Sequence, residues 1–283
     1  MRLDRLQRGE LRRDGLTLDL HDSAPDGSDP SALPFVFQHG LCGSVAQTAE
    51  ACPDHLDDGR PLRLLTLECR GHGASPLGPP EAVSLATLAD DVAACIEQAG
   101  VGPVALGGIS MGAAIALRLA VRRPELVASL ALVRPAWVTG PAPENGRPNL
   151  EVGDWLSRLQ PDRALAAFDA SATARRLAET APDNLASLRG FFSRQPIAET
   201  IELLSRIPAD GPGIHDDEVR AIRVPVTVIG HERDAIHPMA HARALAALMP
   251  HARLVEITPK AVDKTAYLHD LHAALRHHLR RPD

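Results

Sequence analysis

Residues 107–114 read GGISMGAA. The run that leads into them, PVALGGIS (103–110), is apolar and of strand length, and MGAAIALRLAVRR continues as a helical segment rich in small residues. Ser110 therefore stands at a strand-to-helix junction. Gly108-Ile109-Ser110-Met111-Gly112 has the form G-x-S-x-G, the pattern of a nucleophile elbow. The flanking glycines let the turn close without steric conflict, and the serine is held in a strained position above the sheet. The helix that follows offers backbone N–H groups and the positive end of its dipole, so a negative oxygen forming beside Met111 would be stabilised. A glycine-rich turn with a chance serine is the plainer reading; the strand–turn–helix setting favours the elbow.

Working outward, strand-length apolar runs alternate with helical patterns. PFVFQHG (34–40), LRLLTLECRGHG (62–73), VASLALV (127–133), VPVTVIG (224–230) and ARLVEIT (252–258) are apolar nearly throughout, as parallel strands buried on both faces would be. Helical segments lie between them: AEACPDHL, SLATLADDVAACIEQAG ending at Gly100, MAHARALAALM, and a closing helix from about Lys264 to Arg281. This order predicts a doubly wound, mostly parallel α/β sheet. GELRRDGLTLDLHDS predicts an antiparallel hairpin turning at Asp14-Gly15. From about Arg134 to Arg223 the rhythm breaks into helices and loops, with GPAPENGRP and PADGPG near its ends. Residues 1–133 and 224–283 are read as the sheet core and 134–223 as a helical cap over the C-terminal edge, where such sheets bind ligands.

The totals narrow the class. A chain of 283 residues buries a large core, and 45% hydrophobic with 23% charged residues is ordinary for a globular protein. A formal charge of −6 argues against nucleic acid. Among 30 basic residues only Lys260 and Lys264 are lysines, which is read as coding bias. The first residues, MRLDRLQRGELRRDG, lack the apolar run of a signal peptide, and no stretch of 18 apolar residues occurs. Cys42, Cys52, Cys69 and Cys95 show no CxxC spacing. A soluble cytoplasmic protein with no membrane partner is expected, of oligomeric state the sequence does not give.

At this point a resemblance is plain: outside the cap, from about residue 8 to 280, the chain resembles the α/β-hydrolase superfamily. His39-Gly40-Leu41-Cys42-Gly43 matches that family's oxyanion-loop HG motif, and the match implies that the Leu41 N–H joins the Met111 N–H in an oxyanion hole. Arg70-Gly71-His72-Gly73-Ala74-Ser75 is similar to the family's R-G-x-G-x-S turn, a mainly architectural feature, and His39 in such motifs holds the loop through backbone contacts. In GHERDAIHP (230–238) Asp234 falls on the family's acid position, where it would orient an imidazole; a helix-capping aspartate is the plainer reading.

The imidazole itself is out of place. Residues 255–270 read VEITPKAVDKTAYLHD, and the family's histidine slot falls on Val262 or Asp263. A serine without a base is a poor nucleophile. Of thirteen histidines, His237 leads: it lies three residues after Asp234, at the expected N-cap of a helix starting at Pro238, where it could pair with the acid and face Ser110. His231 reads as buried or turn-forming, His269 and His272 as one face of the closing helix, and His277 and His278 as solvated residues at its end. Asp234, His237 and His241 make only a weak metal pattern, without the H-E-x-x-H glutamate; no metal and no cofactor are expected.

The candidate site is thus Ser110 as nucleophile, Asp234 and His237 as acid and base, and Leu41 and Met111 as the oxyanion hole. The leading expectation is a serine-dependent hydrolase or acyltransferase acting on an ester, thioester or amide of a small to medium molecule. Trp155, Phe168, Phe191 and Phe192 are expected as pocket walls. Arg158, Arg163, Arg175 and Arg176 form either a solvated helix face or a surface for an acyl carrier. The alternatives are a cofactor-free lyase or cyclase that uses the oxyanion hole, and an inactive binding protein.

Overall fold

The computed structural model describes residues 1–24 and 33–280; Arg281, the expected end of the closing helix, lies outside them. The hairpin forms as its turn residues dictate. Asp14 and Gly15 both take positive φ, 51° and 76°, the twist that lets a two-residue turn follow the strands. It joins β1 (Gln7–Arg13) to β2 (Leu16–Asp22) in antiparallel register, Arg13 opposite Leu16. The later strands are β3 (Leu33–Gln38), β4 (Leu62–Leu67), β5 (Val104–Ile109), β6 (Val127–Val133), β7 (Val226–Gly230) and β8 (Arg253–Glu256). Their order across the sheet is β1-β2-β4-β3-β5-β6-β7-β8. The β1–β2 and β2–β4 pairs are antiparallel and the rest parallel. The sheet is doubly wound and mostly parallel.

Apolar residues set which strands are central. β5 and β7 are buried throughout. β8 departs from the expectation of double burial: it is the edge strand, and three of its four residues are exposed. The helices follow in chain order: α1 (Val45–Ala51), α2 (Leu85–Ala99), α3 (Met111–Arg122), α4 (Arg147–Arg158), α5 (Pro161–Asp169), α6 (Ala172–Thr180), α7 (Pro182–Phe191), α8 (Ile197–Arg206), α9 (Asp216–Arg220), α10 (Met239–Leu248) and α11 (Lys264–His278). Helix α1 begins four residues before the expected AEACPDHL segment and stops before it ends, because Pro53 follows its C-cap, Cys52. Helices α2, α3 and α10 bury their apolar sides in one core, and α1 and α11 cover the other face through residues such as Tyr267 and Leu271. Helices α4–α8 have a core of their own, built on Val152, Leu156, Phe168, Leu177 and Leu204.

Strand order decides where a ligand fits. The chain enters the parallel part at β3, moves to β4, then crosses back to β5 on the other side of β3. The crevice at this reversal lies at the carboxyl ends of β3 and β5. Gln38 pairs with Gly108, so the segment 39–43 and the turn at Ser110 leave the sheet side by side.

Packing there tolerates no side chain. A Cβ on Gly112 would stand 2.2 Å from the Gln38 carbonyl oxygen. Gly112→Ala is expected to destabilise the fold by about 3 kcal/mol, the upper range for overpacking, because backbone must move. Urea denaturation measures this; a loss below about 1 kcal/mol would show that the helix can shift freely against β3.

Candidate active site

Ser110 has φ 58° and ψ −113°, a conformation rare for any residue with a side chain. It is held from three directions. Its N–H donates to the Val133 carbonyl at 3.0 Å, and its carbonyl accepts from the Ala113 and Ala114 N–H groups at 3.0 and 3.3 Å. A Cβ on Gly108 would meet the Gly112 backbone at 2.3 Å, so the two glycines of the motif touch each other across the turn. The Ser110 side chain does not cap α3. It lines a cavity of about 420 Å³ together with Leu41, Trp137, Phe191, His237 and Lys260.

The segment after β3 is shaped by two buried imidazoles. His39 Nδ1 donates to the Gly40 carbonyl (2.9 Å) while its Nε2 accepts from the Cys69 N–H (3.1 Å). His72 Nδ1 donates to the Arg70 carbonyl (2.9 Å) and its Nε2 accepts from the Cys42 N–H (2.9 Å). All four ring nitrogens are occupied by backbone, which leaves neither ring free for proton transfer. Gly40 N–H donates to Gln47 Oε1 and Gly43 N–H to the Gly40 carbonyl. The Leu41 N–H has no acceptor among the described residues. Met111, the first residue of α3, has no partner for its N–H within the helix. A Cβ on Gly40 would be 3.2 Å from Ser110 Cβ, which measures how closely the two segments approach.

Asp234 lies in the loop after β7 with its side chain wholly buried. His237 Nδ1 donates to its carboxylate, 3.0 Å from each oxygen. The His237 and Ile236 N–H groups donate to Oδ1 at 2.9 and 3.2 Å, and Asn184 Oδ1 accepts from the Ala235 N–H at 2.7 Å, so the loop has one shape. His237 does not cap the following helix as expected. Pro238 takes that position, and α10 starts at Met239. With Nδ1 on the acid, the basic Nε2 is the nitrogen left for the cavity.

Arg134 was not anticipated. It is the residue after β6, and the register Val133 opposite Ile229 brings it beside the loop that carries Asp234. Its φ is 45°, its Nε donates to Asp234 Oδ2 at 2.8 Å, and its Nη2 forms an ion pair with the same oxygen at 2.5 Å. Burial opposes the charged carboxylate, but the Arg134 guanidinium and the His237 imidazole hold the Asp234 carboxyl well below the usual range. His231, buried behind, has Nε2 3.6 Å from the same carboxylate, while its Nδ1 donates to the Glu232 carbonyl at 2.7 Å.

The segment where the resemblance places a histidine does other work. The Asp263 carboxylate accepts from the Thr265 and Ala266 N–H groups and caps α11. Val262 is 59% exposed. Lys260 enters the cavity instead. His269 is exposed, and His272 meets the Glu50 carbonyl on the outer side of the sheet. His278 is not solvated as expected: it meets Thr227 Oγ1 at 2.9 Å, and burial pushes its pKa down to about 4.

The expected aromatic walls also need correction. Phe168 and Phe192 stack on each other inside the helical core, 5.5 Å between centroids, and Trp155 packs against that core. Phe191 does line the cavity, joined by Trp137, whose indole N–H donates to the Asp210 carbonyl. Arg158, Arg163, Arg175 and Arg176 are exposed. Among the described residues the one grouping with cation-ligand spacing is Asp19, His21 and Glu68, where Arg8 already pairs with Asp19 at 2.6 Å. No described helix is long and apolar enough to cross a membrane.

The model of the alpha/beta hydrolase fold family matches residues 34–261. A candidate carbamate hydrolase, RutD of Klebsiella pneumoniae, is 29% identical over 193 residues, which covers 66% of this chain and 68% of RutD. The sn-1-specific diacylglycerol lipase ABHD11 of Danio rerio is 32% identical over 136 residues, 47% of this chain and 40% of that protein, so the match spans less than half of the lipase. Among solved structures, the enol-lactonase of Burkholderia xenovorans LB400 superposes with a TM-score of 0.67 at 21% identity, covering 94% of this chain and 99% of that one; this is a likeness of fold.

Burial lowers the pKa of both His39 and His72. Unfolded histidine protonates near pH 6.5, so the stability due to keeping these rings neutral is present above roughly that pH and is lost as pH falls below it. Urea denaturation at pH 7.5 and 5.5 is expected to differ by about 2 kcal/mol. Equal stability would show that the rings charge freely in the fold. Asp234→Asn leaves Arg134 buried beside a neutral amide and is expected to cost about 3–5 kcal/mol, measured the same way at pH 7.5; a neutral outcome would show that Arg134 finds water.

Proposed function

The chain belongs to the α/β-hydrolase fold family, and from that premise we propose that it is a serine-dependent hydrolase of an ester, thioester or amide, with its base carried on the acid loop. The observation that supports this most is the His237 imidazole, paired through Nδ1 with both Asp234 oxygens and sharing one cavity wall with Ser110. Ser110 Oγ attacks the substrate carbonyl carbon as its proton passes to His237 Nε2. The carbonyl π electrons move to oxygen, which the Leu41 and Met111 N–H groups receive. The tetrahedral intermediate collapses, the bond to the leaving group breaks, and that group departs with the imidazolium proton. Water then attacks the Ser110 ester, His237 takes its proton and returns it to Ser110 Oγ, and the acid is released.

Asp234 stays ionised throughout, oriented by Arg134, and keeps the His237 tautomer with the proton on Nδ1. Residues 134–223 act as a cap, contributing Leu188 and Phe191 to the cavity wall. A cavity of about 420 Å³ suits a small to medium substrate. A pure binding protein has no use for a paired acid and imidazole beside an elbow serine, which weighs against that alternative.

p-Nitrophenyl acetate and butyrate hydrolysis tests the assignment. Ser110→Ala is expected to lower kcat by at least about 10³-fold and His237→Ala by about 10²–10⁴-fold, with the double variant little worse than the more impaired single one. A His237→Ala protein that keeps most of its activity would remove His237 as the base. A wild-type Ser110 that resists a fluorophosphonate probe would remove serine catalysis.

A further inference from the structure

The cavity wall has a one-sided charge. Arg134, Arg194 and Lys260 line it, and no aspartate or glutamate does. Arg134 is neutralised from behind by Asp234, with Asp183 a further 3.7 Å from its Nη2. Arg194 donates to Thr200 Oγ1 at 2.9 Å and to the Gly71 carbonyl, so two of its N–H groups are committed to the fold. Lys260 differs from both. Among the described residues its ammonium has no carboxylate within 4.0 Å and no hydrogen-bond acceptor, whereas the neighbouring Lys264 pairs with Glu50 at 2.8 Å.

An ammonium half out of water and without an anion is costly unless something supplies the missing charge. Burial, with the positive charge of Arg134 added, lowers the Lys260 pKa, and a bound anion would reverse that. The rest of the wall is apolar or neutral, with Leu188, Phe191, Trp137 and Ile236 around the serine. The site is therefore organised for a molecule that is apolar in the middle and negative at one end.

We infer that Lys260 anchors the substrate through an anionic group, a carboxylate, so that this is a hydrolase of carboxylate-bearing acyl compounds. The inference deepens the serine-hydrolase reading and rests on it for the reaction, though not for binding. The loop after β8, which in the resembling family supplies the base, here supplies substrate recognition.

Two measurements keep the two readings apart. The first compares mono-p-nitrophenyl glutarate with p-nitrophenyl butyrate as the ratio of their kcat/KM values. Lys260→Met is expected to lower that ratio about 10- to 100-fold, the worth of one hydrogen-bonded charge, mostly through the KM for the glutarate, and Lys260→Arg to restore much of it. A ratio that Lys260→Met leaves unchanged overturns the anchor; an equal fall for both esters is one such result, and would mark Lys260 as part of the proton transfer. The second is calorimetric binding of glutarate, which needs no turnover. Binding to the wild-type protein that weakens at least 10-fold in Lys260→Met supports the anchor even if no ester is cleaved, in which case only the serine chemistry fails. Glutarate binding equal in the two proteins, or absent from the wild type, overturns the anchor whatever the esters do.

Discussion

Everything in the site depends on one strained residue. Ser110 can sit at φ 58°, ψ −113° only because Gly108 and Gly112 have no Cβ, and Gly112 in turn lies against the Gln38 carbonyl. A backbone outlier of this kind costs about 1–3 kcal/mol and persists because its surroundings determine it. Here the surroundings are the two neighbouring strands: β6 receives the serine N–H through Val133, and β3 presses on the helix start. The same contact delivers the segment 39–43 to the serine, so elbow and amide loop are one construction. Two neutral histidines, His39 and His72, then fix the amides by filling every ring nitrogen with backbone.

The second constraint is electrostatic. Asp234 has no access to water, and a buried carboxylate is tolerable only with partners. It has a guanidinium, an imidazole and two backbone N–H groups. Arg134 keeps the carboxylate ionised and secures its geometry. Arg134 stays in place because its own backbone is pinned to the Ile229 carbonyl and its face lies 5.8 Å from the Tyr267 ring centroid.

What the sequence disclosed follows the range of the interactions involved. The elbow, the Asp14-Gly15 turn, the Gly100 stop of α2 and the Asp234–His237 relation are all set within a few residues, and local pattern exposes them. Arg134 was invisible because its role comes from the β6–β7 register, which joins it to a residue a hundred positions away. His278 was misread for the same reason, since Thr227 is remote in the chain. Phe168 and Phe192 read as pocket walls because nothing local tells an inward aromatic from one that serves the helices' own core. Lys260 did carry a signal: one of only two lysines, it sits in the loop where the resemblance calls for a functional residue.

The acid and imidazole sit three positions apart on a single turn of chain. Bringing such groups together from distant segments costs loop-closure entropy that grows with the logarithm of the intervening length; here that length is almost nothing. The pair therefore assembles with its own loop and does not wait for the C-terminal segment to dock. Fraying of α11, the last described helix of the chain, would disturb the mouth of the cavity and Lys260 before it separated Asp234 from His237. Under the proposed reading, the relay would thus sit within one short loop and the anchor on a separate segment that leads into α11.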